Sequence, residues 1–238
     1  MKDNREHSSH YNIQQSHAVK PGVPWEEVYK AILAKKRDPN TPLDPAALRL
    51  LEAAADTFIS PVSLGSLAMR AGLGGPEATR ASKELQRRGL ARRCPLVVGR
   101  TRNIFIDPTD QGFKLLGISP PSGAGRGGAG HRHCLSIVEK HLGRHGYRTQ
   151  REIEVAGKRI DLIGRKGTQT LFVECELSDQ NAARNAAEDL RAADLSVRSI
   201  VFVSPNKKTL KAVEKAVRLA VPSSEMQRFK FKLAGELK

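Results

Sequence analysis

Cysteine is scarce in this chain, aromatic residues are few, acids are outnumbered and long apolar runs are missing. Each shortage excludes something. The three cysteines, Cys94, Cys134 and Cys175, stand alone with no CxxC pair. That removes a disulfide framework and a structural zinc ribbon, and fits a reducing, cytoplasmic setting. No apolar run approaches the roughly 20 residues that cross a bilayer, so no membrane partner is expected. Residues 1–19 are polar and mixed in charge, unlike a signal peptide, and residues 1–23 read as a disordered tail. The glycine-rich stretch at 119–130 lacks the GK[ST] ending of a phosphate-binding loop, so nucleotide binding has no support. Aromatics are only 5% of the residues, so any core rests on Leu, Val, Ile and Ala.

What the chain has in excess is positive charge. The net +15 and pI near 10.1 favour polyanionic partners, nucleic acid first. The cations are clustered. A first helix is read over 24–36, where Trp25, Val28, Tyr29, Ile32 and Leu33 recur at helical spacing. Asp44-Pro45 then starts a second, with Asp44 as N-cap and Pro45 in the first turn. A short helix over 60–72 and another over 77–88 follow, separated by Gly74-Gly75-Pro76. Extended runs at 90–98 and 104–107 flank a polar turn, and Thr109 caps a last helix at 110–116. Arg80, Lys83, Arg87 and Arg88 lie on or beside the helix at 77–88; Arg92, Arg93, Arg100 and Arg102 lie on the hairpin. Only Glu77 and Glu84 oppose them. Helix, helix-turn-helix, then hairpin resembles a MarR-like winged helix-turn-helix domain over 44–117. The resemblance implies a helix in the major groove, a wing along the backbone and DNA contacts from these eight cations. The plainer alternative is a solvated basic face on a protein-binding winged helix.

Residues 119–130, rich in Gly, Pro and Ser, read as a linker between domains at 24–118 and 131–238 that fold separately. The second half reads α-β-β-β-α-β-α, with a last strand over 226–233.

Inside that half, 158–163 and 171–177 are short apolar strands that nevertheless carry acids. A buried, unpaired carboxylate costs several kcal/mol. Asp161, Glu174 and Glu176 therefore need a cation, either a metal ion or an arginine. Strand alternation puts Glu174 and Glu176 on one face and Asp161 with Arg159 on another, and a hairpin brings Asp161 towards Glu174. Converging carboxylates suit a hard divalent ion, Mg²⁺ or Mn²⁺.

Helix, three strands with Asp on the second and Glu-x-Glu on the third, helix, strand resembles the PD-(D/E)xK, restriction-endonuclease-like superfamily. The resemblance implies an α/β domain, a mixed sheet flanked by helices, that hydrolyses DNA phosphodiester bonds with a metal. Asp161 and Glu174 would be ligands, with Glu139 on the first helix as an assisting acid. Glu176 stands at the family's lysine position, as a third ligand or a spectator, and Arg159, Arg184 or Arg191 could supply the missing charge. DNA is the implied partner, in a homodimer or a larger DNA-processing complex. The alternatives are a non-catalytic DNA-binding regulator or adaptor with a degenerate nuclease fold, and a subunit whose site another chain completes. His131, His133 and Cys134 do not converge on a helix, His141 and His145 read as a basic helix face, and Cys175 reads as a core residue.

Overall fold

The computed structural model describes residues 42–121, 127–193 and 196–237. The tail, the helix expected over 24–36 and residues 122–126 lie outside them. Backbone contacts divide the chain into Met1–Pro42 and Leu43–Lys238, and the second unit is the one described below.

Helix α1 (Pro45–Asp56) starts at the expected cap: Asp44 accepts a hydrogen bond from the Ala46 amide at 2.8 Å, and Pro45 sits where no donor is needed. Helix α2 (Leu64–Arg70) is capped by Ser63, and Gly74 precedes α3 (Gly75–Arg87). Ala78, Ala81 and Leu85 of α3 pack with Leu50, Leu51 and Leu67 in one core. Strands β1 (Ala91–Val98) and β2 (Thr101–Pro108) form a hairpin whose tip is Gly99-Arg100, with Gly99 at φ +63°. The second strand starts three residues earlier than the sequence predicts, because the polar run Thr101-Arg102-Asn103 hides a strand with one solvated face. An isolated bridge joins Ser63 to Phe105, and α4 (Asp110–Leu115) is capped by Thr109.

The second half is a five-stranded mixed sheet flanked by helices. Helix α5 (Ala129–Arg144) leads to strands β3 (Arg148–Val155), β4 (Lys158–Lys166) and β5 (Gln169–Cys175). Helix α6 (Ala182–Ala192), strand β6 (Val197–Ser204), helix α7 (Lys207–Ala220) and strand β7 (Phe229–Leu233) complete it. The order is β3-β4-β5-β6-β7, antiparallel as far as β5 and parallel from β5 to β7. Leu135, Val138 and Leu142 of α5 cover one face against Leu162, Val173 and Val203. Ala186 of α6 with Val213 and Val217 of α7 covers the other against Ile163, Phe172 and Phe202. Strand β5 is thus buried on both sides, which is why it reads as a nearly continuous apolar run.

The composition of 119–130 predicts independent halves; the packing ties them together. Buried Arg132 in the first turn of α5 pairs with Asp107 of β2, donates to the carbonyl of Phe58 at 2.8 Å and lies over the Phe58 ring. His133 meets the Pro61 carbonyl at 2.8 Å and the Phe105 ring. Ser136 bonds Ser60, and Arg151 of β3 donates to the Ile59 carbonyl.

Candidate active site

The acids converge through register. Leu162 pairs with Val173 and Ile163 with Phe172, so Asp161 and Glu174 come next in line, just beyond the last bonded pair. On the other side of β4, Arg151 pairs with Leu162 and Ile153 with Ile160, leaving Glu152 and Asp161 facing each other outside the ladder. Glu152 adopts φ 53°, a left-handed conformation unfavourable for a side-chain-bearing residue. Such backbone costs on the order of 1–3 kcal/mol and persists only where the surroundings impose it. Here it adjoins the acidic cluster.

Each acid has its own environment. Asp161 accepts from His131 Nε2 and from the Cys175 amide, both at 2.9 Å. Burial pushes its acidity towards the neutral form, but the His131 hydrogen bond and charge and the Cys175 amide outweigh burial, so the carboxyl titrates below its ordinary value. His131 shows the converse: burial opposes its charge, yet the Asp161 bond and the nearby acids raise its pKa. Glu174 is only 2% exposed. Burial first, then the charges of Asp161 and Asp189, push its pKa well up against the pull of Lys158. Glu176, just past β5, has its pKa raised by burial, while a 2.7 Å bond from Asn185 Nδ2 opposes that shift.

Lys158, at the start of β4, lies among these acids. Lys158 Nζ lies 3.8 Å from Glu174, 3.7 Å from Asp189 and 3.6 Å from Glu188, and donates to Asn185 Oδ1 at 3.1 Å. The three carboxylate distances exceed ordinary hydrogen-bond length. Glu174 Oε1 and both oxygens of Asp189 accordingly have no hydrogen-bond partner among the described residues. Asp189, in α6, is fully buried, and burial raises its pKa to about 7.

Four sequence-predicted residues do not join the cluster. Glu139 is held by two bonds from Arg151 and lies two turns beyond His131 on α5, roughly 12 Å along the helix. The residue of α5 that meets Asp161 is His131. Arg159 is exposed and lies 3.9 Å from Glu152. Arg184 pairs with Glu188 and Arg191 with the Ala187 carbonyl, so neither supplies the charge. Lys158 and Asp189 are the residues that sequence reasoning missed. The signal for Lys158 was its place at the head of the same acidic strand; Asp189 had none, being one acid of an ordinary amphipathic helix. His131, His133 and Cys134 fan out to Asp161, Pro61 and the core, as their spacing requires.

Among the described residues no group of three or more His, Cys, Asp or Glu is placed to hold a metal ion. Asp161 and Glu174 offer two carboxylates, one with an uncommitted buried oxygen. That donor set fits Mg²⁺ or Mn²⁺, since Mg²⁺ commonly takes one or two protein carboxylates and keeps several waters.

In the first half, Arg80, Lys83 and Arg87 stand at helical spacing on the exposed side of α3, opposite its buried alanines. Arg92, Arg100 and Arg102 are exposed on the hairpin. Arg88 pairs with Glu84 at 3.1 Å, and Arg93 is half-buried.

No protein-family profile matches this sequence, and no curated protein does. Two solved structures are similar in part. One is Pyrococcus furiosus SfsA in complex with Ca²⁺: 17% identity, TM-score 0.29, covering 59% of this chain and 67% of that one. The other is a protein from Vibrio cholerae: 13% identity, TM-score 0.32, covering 82% of this chain and 50% of that one. These are weak likenesses. No described helix is long and apolar enough to cross a membrane.

Proposed function

We propose that this chain grips duplex DNA with a winged helix built from α1 to α4 and hydrolyses phosphodiester bonds at the Asp161–Glu174 pair. The observation that carries the hydrolytic reading is the register of β4 and β5, which brings half-buried Asp161 towards buried Glu174, with Lys158 beside Glu174. Burying two acids side by side is costly without a cation to share. Asp161 and Glu174 would hold Mg²⁺ or Mn²⁺, which when bound polarises a phosphodiester and lowers the pKa of an attacking water. His131 and the Cys175 amide fix the Asp161 carboxylate through one oxygen. Lys158 brings the positive charge that the Glu176 position lacks. Asn185 orients Glu176, leaving it a spectator. The DNA-binding reading is supported by element order, by the Ser63–Phe105 bridge that adds to the hairpin, and by the exposed cations of α3 and the hairpin. A homodimer or larger assembly would follow the habit of winged helices.

A second reading, a non-catalytic DNA-binding regulator or adaptor, is favoured by one observation. The acids already have partners within the protein: His131 on Asp161, Asn185 on Glu176, and Lys158 within 4 Å of Glu174. Plasmid incubated with Mg²⁺ or Mn²⁺ separates the two. Nicking by the wild type that falls at least a hundredfold in both Asp161→Asn and Glu174→Gln supports hydrolysis. Duplex binding without cleavage, or equal cleavage by all three proteins, contradicts it.

A further inference from the structure

Helix α7 breaks an electrostatic rule. The N-terminal end of a helix carries partial positive charge and favours acids. The first turn of α7 instead holds Lys207 and Lys208 and no acid. Lys211 and Lys215 continue the exposed line, while Val213 and Val217 face the core. The one acid of the helix, Glu214, is taken by two bonds from Arg218, and among the described residues none of the four lysines has an ion-pair partner. A helix selected only for stability or solubility would place its cations in the last turn. Four unpaired lysines, two of them against the dipole, are what an external polyanion would compensate.

The hairpin tip abuts this end of the helix. The Gly99 amide donates to the Pro205 carbonyl at 2.8 Å, and Asn206 Nδ2 donates to the Val97 carbonyl at 3.3 Å. A depression between them is lined by Arg100, Lys207, Lys208 and the acid Glu236, together with Val97 and Leu233. Three cations from the hairpin tip and the start of α7 thus border one depression against a single acid, Glu236.

We propose that Arg100, Lys207, Lys208, Lys211 and Lys215 form a second phosphate track, carrying the backbone of the duplex past the hairpin tip and along α7. The inference rests on the DNA-binding reading above. From Lys207 to Lys215 the helix advances about 12 Å, the rise of three to four nucleotides of one strand. Each lysine that neutralises a phosphate contributes about 0.9 to the slope of log affinity against log salt.

The test is fluorescence anisotropy of a labelled duplex over a salt series, with the full chain and the triple variant Lys207→Gln, Lys208→Gln, Lys211→Gln. A control variant, Lys140→Gln, Arg144→Gln, Arg198→Gln, removes the same charge from exposed positions elsewhere. The expected result is a salt slope shallower by about 2 to 3 in the α7 variant, little change in the control, and a melting temperature of the α7 variant at or above that of the wild type. A salt slope unchanged in the α7 variant overturns this inference and leaves the DNA reading standing. An equal fall in the control also overturns it, since the effect is then one of net charge. A wild type that binds no duplex at low salt, but does bind anionic lipid vesicles, sinks both.

Discussion

Asp189 is fully buried in α6 with its nearest cation, Lys158, 3.7 Å away, and it titrates near pH 7. In the unfolded chain it would lose its proton near 3.8. Between those values the folded state holds a proton that the unfolded state has released, so stability falls as pH rises from about 4 to about 7. Glu174 acts with the same sign. Asp161, whose pKa is depressed, acts oppositely: its contribution is present above its ordinary range and is lost as pH falls through its folded value. Replacing Asp189 with Asn should flatten the fall, making the variant more stable than the wild type at pH 8 relative to pH 5 by on the order of 2–4 kcal/mol. Urea unfolding at the two pH values measures it, and parallel curves would contradict the assignment. Lys158→Met should act in the other direction. It leaves Glu174 and Asp189 buried without a cation, for a loss of about 3 kcal/mol at neutral pH, read by the same unfolding experiment.

At the scale of elements, close packing leaves a visible mark at Gly112 in α4. A Cβ there would run into the carbonyl oxygen of Leu90 and meet Leu51 Cδ1 at 3.2 Å. Gly112→Ala should therefore cost about 1–3 kcal/mol, seen as a lowered melting temperature, although alanine favours helix in general. The elements themselves were largely legible. Asp44-Pro45, Thr109 and the glycines at 74–75 and 89 mark caps and stops that need only local chemistry. The approach of Asp161 to Glu174 was expected from a hairpin with a longer turn, over 164–168; β4 instead runs on to Lys166 and the turn is Gly167-Thr168. Lys158 and Asp189 were not legible. Their contact joins a strand start to a helix some thirty residues on, and nothing in the local pattern of either segment records it. Arg159 was expected beside Asp161, and its nearest acid is instead Glu152 on the neighbouring strand.

At the scale of the whole second unit, the glycine-rich composition around residue 125 misleads about independence. The tie lies in side chains outside that stretch, above all the buried pair Arg132–Asp107. Breaking a buried pair by removing one partner costs about 3–5 kcal/mol, because the other charge stays buried and unpaired. Residues 43–237 should accordingly unfold in one transition by calorimetry, and Arg132→Leu should lower its midpoint and split it in two. A wild type with two well-separated transitions would show the halves to be independent. The same packing sets the hairpin against α5, the helix that delivers His131 to Asp161, so the region read as gripping DNA and the acidic site share one scaffold.

The central claim is that Asp161 and Glu174 together take a divalent cation. Titration calorimetry with Mn²⁺ tests it without any nucleic acid. The wild type should bind close to one ion, and Asp161→Asn with Glu174→Gln should abolish that binding while a Glu139→Gln variant retains it. Heat indistinguishable from dilution in the wild type, or equal binding by the double variant, would contradict the account.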